Sequence, residues 1–71
     1  MADITYMKIL LGQILYDRKI SYRQLSIMTE ISKSNIENIC DGKRFPRIDT
    51  LEKIAKALNM HIVDLFESDY K

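Results

Sequence analysis

The chain has 71 residues, enough for one small domain and too few for two. With 46% hydrophobic residues, two Gly and one Pro, it is not a disordered or low-complexity segment. A single cysteine, Cys40, excludes an internal disulfide and removes any need for an oxidising compartment. Asp3 and Lys8 interrupt the apolar N-terminal stretch, which argues against a secretory signal or a membrane span. The expectation is therefore a cytoplasmic protein. The net charge of +1 hides an uneven distribution. Residues 21–47 carry Arg23, Lys33, Lys43, Arg44 and Arg47 against three acids, whereas residues 48–71 carry five acids against three lysines. A basic middle is consistent with an anionic partner, and an ordinary solvated surface gives the same pattern.

Helical periodicity dominates from the start. Met7, Leu10, Leu11, Ile14 and Leu15 recur at three- and four-residue steps, predicting a first helix over residues 3–18. Gly12 inside it marks either close packing or nothing. Ser21 reads as a helix N-cap with Gln24 three residues on, a capping-box pattern. A second helix follows over Tyr22–Thr29, with Leu25 and Met28 directed inward. Glu30 and Ile31 form a turn. Ser32 caps a third helix, Lys33–Cys40, anchored by Ile36 and Ile39, and Gly42 suits the left-handed residue that ends it. Residues 43–47 form a basic loop. Asp49 or Ile48 opens a fourth helix, with Leu51, Ile54, Ala55 and Leu58 as its apolar stripe and Asn59 as its C-cap. A last short helix spans residues 61–66, and no segment shows convincing strand alternation. The expected fold is an all-α bundle of five helices.

The third helix raises the functional question. Ile36 and Ile39 anchor it, and Lys33, Ser34, Glu37 and Asn38 point elsewhere. A short solvated helix explains that face, and so does a helix presented to the major groove of DNA. The neighbouring segments favour the second: two eight-residue helices joined by a three- or four-residue turn have helix-turn-helix spacing. Leu25, Ile31, Ile36 and Ile39 are placed to clamp the two helices at a fixed angle.

The stretch "ISKSNIENI…GKRFP" followed by "RIDTLEKIAKALNMHIVDLF" resembles the Cro/C1-type (XRE-like) helix-turn-helix family over residues 11–66. The resemblance implies a lambda-repressor-like DNA-binding domain, with the helix-turn-helix at residues 21–41 and a C-terminal tail at 67–71. It implies base reading by Lys33, Ser34 and Asn38 from the third helix. Lysine donates to guanine O6 and N7, and asparagine pairs bidentately with adenine. Glu37 either accepts from cytosine N4 or repels phosphate. Tyr22, Lys43 and Arg44 fall where contacts to backbone phosphate are expected, contacts that position the domain rather than read sequence. Ser32 is explained by capping alone.

Three departures from the family pattern stand out. Glu30 stands where the tight turn often has Gly. Ser26 stands where a small Ala often packs between the second and third helices, and its hydroxyl is expected to find a backbone carbonyl one turn back. Leu15 and Cys40 replace the Arg and Glu that many members pair internally, a double change that swaps a buried ion pair for apolar packing. Cys40 then reads as a small hydrophobe rather than a reactive thiol.

No catalytic residues, cofactor, metal site or small-molecule ligand are expected. One His and one Cys do not make a structural metal site, and no Gly-rich phosphate loop is present. A Cys40–His61 nucleophile pair lacks an orienting or oxyanion group, and His61 reads as a helix-start residue. The main expectation is a bacterial, phage or mobile-element transcriptional regulator, a repressor of double-stranded DNA targets acting as a homodimer through Ile62, Phe66 and Tyr70. The alternative is a helix-turn-helix module that has become an adaptor or antitoxin-like protein partner. Single-stranded RNA binding is a poorer third, because no aromatic pair forms an evident platform.

Overall fold

The computed structural model describes residues 7–70. Four α-helices occur in chain order: α1 Leu11–Arg18, α2 Tyr22–Thr29, α3 Lys33–Cys40 and α4 Ile48–Leu58. A single 3-10 turn, Ile62–Leu65, follows α4. Two short strands, β1 Met7–Ile9 and β2 Phe66–Ser68, pair the two ends of the described residues with each other. They are antiparallel, with Met7 opposite Ser68 and Ile9 opposite Phe66.

This corrects the expected architecture at both ends. The first helix begins at Leu11, because residues 7–9 are drawn into pairing with 66–68. The expected start at Asp3 lies outside the described residues. The expected fifth helix is the 3-10 turn alone, and Phe66 leaves it for an extended conformation at φ −149°. A hydrogen bond of 2.8 Å from the Leu10 N–H to the Leu65 carbonyl ties the start of α1 to the end of that turn.

The core lies where the four helices converge. Leu11 and Leu15 enter from α1, Leu25 from α2, Ile36 and Ile39 from α3, Leu51, Ile54 and Leu58 from α4, and Leu65 from the 3-10 turn. Leu15 is fully packed, and Cys40 is half-buried against the same cluster. A Cβ added at Gly12 would meet the Cys40 Cβ at 3.7 Å, an ordinary contact, so α1 and α3 do not require a glycine there. The helix ends are closed by explicit devices. Lys19 and Asn59 adopt left-handed conformations that terminate α1 and α4. The Arg18 guanidinium donates to the Leu58 carbonyl, joining the C-termini of α1 and α4.

Candidate functional site

The site is built from α2, the turn after it, α3 and the loop beyond. Ser21 caps α2 as its sequence implies. Its Oγ accepts the Gln24 N–H at 3.0 Å, and the Gln24 side chain accepts the Ser21 N–H at 2.8 Å. α2 ends at Glu30, held left-handed at φ 63° where glycine would fit without a Cβ penalty. Met28, expected inward, is half exposed, and the inward position one residue later belongs to Thr29.

Thr29 organises the turn. Its hydroxyl donates to the Leu25 carbonyl at 2.7 Å and accepts the Ile31 N–H at 3.2 Å. The Ser26 hydroxyl finds a carbonyl, but not the one expected a turn back. The left-handed residue folds the chain so that Ile31 offers its oxygen at 2.6 Å instead. Every buried side-chain polar atom among the described residues has a partner.

Ser32 then caps α3, accepting the Asn35 N–H at 3.2 Å. Ile36 and Ile39 bury completely and fix the roll of the helix. Lys33, Ser34, Glu37 and Asn38 stand together on the opposite side, the first two exposed and the last two half-buried. One helical turn separates the two pairs, so the four side chains form one strip. Lys33 Nζ lies 3.2 Å from Glu37 Oε2, an exposed ion pair along that strip. Such a pair contributes little to stability. Its consequence is chemical, because a cation and a carboxylate act there as a couple.

The loop after α3 is anchored to the helix it leaves. Gly42 is left-handed at φ 80°, and the Asn38 carbonyl accepts both the Lys43 N–H at 2.9 Å and the Arg44 N–H at 3.2 Å. Lys43 and Arg44 therefore start from a fixed backbone beside the polar strip. Phe45 follows, 61% exposed between Arg44 and Arg47.

Tyr22 opens α2 half-buried and next to Cys40. Its hydroxyl pKa is raised, first by the charge the Cys40 thiol would carry when ionised and then by burial. Burial likewise raises the Cys40 pKa, and the Tyr22 contact opposes that only in part. Cys40 is a protonated thiol at neutral pH.

The structure thus gathers Lys33, Ser34, Glu37 and Asn38 on one strip, with Lys43 and Arg44 leaving from its far end. Tyr22 is set at the start of α2, engaged with Cys40. Ile62 packs half-buried against the core, Phe66 is half-buried at the start of β2, and Tyr70 is 82% exposed near the end of the described chain. Sequence reasoning missed Asn35, whose side-chain oxygen accepts from Arg44 Nη1 at 3.1 Å. Nine residues and a left-handed glycine separate the two, so no local periodicity announces the contact.

Two capped helices of equal length, joined by a left-handed turn and crossing on a shared apolar seam, define a helix-turn-helix domain. The family model for the Cro/C1-type HTH DNA-binding domain matches residues 11–69, and the chain belongs to that family. It is a DNA-binding regulator of a class whose members are typically not enzymes. No curated protein matches the chain closely enough to be counted a relative. No described helix is long and apolar enough to cross a membrane, and no cluster of three or more His, Cys, Asp or Glu suited to a metal occurs among the described residues.

Proposed function

We propose that the protein is a transcriptional repressor that inserts α3 into the major groove of double-stranded DNA and binds a palindromic operator as a homodimer. The observation that carries this reading is the division of α3. Ile36 and Ile39 lock one side to the core, and Lys33, Ser34, Glu37 and Asn38 share the side left outward. In this reading Lys33 donates to guanine, Asn38 pairs with adenine and Ser34 donates to a nearby base edge. Glu37 selects cytosine N4 or, by repulsion, rejects misplaced phosphate. Lys43, Arg44 and the Tyr22 hydroxyl hold the sugar-phosphate chain.

One recognition helix reads only a few base pairs, and pairing two copies spans half-sites about 34 Å apart. The proposed dimer surface is Ile62, Phe66 and Tyr70. Exposed Tyr70, and half-exposed Val63 beside Ile62 in sequence, support it. Light scattering that finds a monomer both free and on a palindromic duplex would remove the dimer from this reading.

The competing reading is a protein-interaction module. The Lys33–Glu37 pair favours it, because pairing lowers the free positive charge on α3. Fluorescence anisotropy separates the two, using the protein's own upstream DNA and a scrambled duplex across a salt series. An operator-binding regulator binds its own DNA more tightly, weakens steeply with salt through counterion release, and loses the preference in Lys33→Ala/Asn38→Ala. Absence of binding to either duplex at low salt leaves the interaction module standing.

A further inference from the structure

We propose that Asn35 is a positioning residue that holds the Arg44 guanidinium ready for a DNA phosphate. The inference rests on the DNA-binding reading above and adds a residue to it. Arg44 is held at both ends. Its backbone N–H is tied to the Asn38 carbonyl at 3.2 Å, and its Nη1 donates to Asn35 Oδ1 at 3.1 Å. Guanidinium nitrogens only donate, so the Asn35 group facing them is its oxygen, and the amide nitrogen is left pointing away. The backbone of Asn35 is itself fixed, because its N–H is the donor that Ser32 caps.

An exposed arginine normally samples many rotamers and loses that freedom when it binds. Here one hydrogen bond restricts the side chain beforehand. The guanidinium keeps its full charge, because its partner is a neutral amide rather than a carboxylate. Its remaining donors are available to a phosphate oxygen, and preorganisation of this kind raises affinity without a new contact. The contrast with Lys33 is direct: that cation is held by a carboxylate 3.2 Å away, which offsets its charge.

The test is a double-mutant cycle of Asn35→Ala and Arg44→Ala, read as affinity for preferred and random duplexes across a salt series. Alanine preserves the N–H that Ser32 caps and raises helix propensity, so thermal melts should show both variants folded. Arg44→Ala should lower the salt slope by about one and weaken both duplexes alike. Asn35→Ala should weaken both by about threefold to tenfold in the wild-type background, the range expected for freeing one long side chain, and by less than twofold beside Arg44→Ala. In the free protein, Asn35→Ala should also raise the fast motion of the Arg44 side chain measured by NMR relaxation. Equal losses in the two backgrounds, or a loss confined to the preferred duplex, would overturn the proposal while leaving DNA binding intact. Failure of the wild-type protein to bind either duplex would instead overturn the DNA reading, and the proposal with it.

Discussion

Helices α3 and α4 pack on the same core and divide its work unequally. α4 has eleven residues and buries Leu51, Ile54, Ala55 and Leu58, so that its apolar stripe runs its whole length. α3 has eight residues and buries only Ile36 and Ile39. The longer helix secures the domain. The shorter one is held just firmly enough to keep its orientation, and the rest of its circumference stays outward. In the proposed reading stability and recognition fall on neighbouring helices, and the substitutions that damage each should differ.

The largest effects should come from the fully buried positions of both helices. Ile54→Ala empties a fully buried position and should cost about 2–5 kcal/mol, a large share of the stability of so small a domain, measured by chemical denaturation. Ile36→Ala should cost a similar amount despite lying on α3. A small cost there would mean that α3 is not anchored as described. The polar strip should behave in the opposite way. Lys33→Ala/Asn38→Ala should leave the melting temperature almost unchanged, while each lost base contact weakens preferred DNA by about 1–3 kcal/mol.

Smaller effects sharpen the account of the backbone. Glu30→Gly relieves a left-handed residue and should stabilise by about 1 kcal/mol, less whatever freedom the glycine returns to the unfolded chain. Gly12→Ala should stabilise by roughly the same amount, because the added Cβ meets Cys40 at normal contact distance and helix propensity rises. Loss of stability in Gly12→Ala would show that α1 and α3 approach more closely than the structure indicates.

The smallest effect concerns pH. Cys40 and Tyr22 both have raised folded pKa values, so the folded state holds their protons more tightly than the unfolded chain does. Their contribution is intact below the unfolded thiol pKa, near 8.5, and should fade as pH rises through the folded values. Denaturation midpoints should therefore fall above about pH 8.5. Cys40→Ala should flatten that fall by removing the thiolate that faces Tyr22.

Much of this arrangement was legible in the sequence because it is encoded locally. Ser21 with Gln24, and Ser32 before its apolar pair, announce two helix starts, and both caps form. The strip on α3 follows from 3.6-residue periodicity once Ile36 and Ile39 are assigned to the core. What escaped depends on partners distant in sequence or on very short elements. The strands Met7–Ile9 and Phe66–Ser68 are three residues each, too short for alternation to register. Met7 also fitted the spacing of the following helix, yet it is exposed on a strand. The Ser26 hydroxyl turned forward to Ile31 because the left-handed Glu30 brought that carbonyl within reach. Asn35 and Arg44 meet only across the Gly42 turn.

The central claim is that the outward strip of α3, with the loop anchored to it, is the surface that meets DNA. An NMR titration of the labelled protein with its own upstream duplex tests this most directly. The account predicts amide shifts concentrated at residues 33–38 and 43–44, with the buried α4 stripe and the exposed apolar residues Ile27 and Met28 of α2 undisturbed. Shifts centred on Ile27 and Met28, or none with any duplex at low salt, would contradict it.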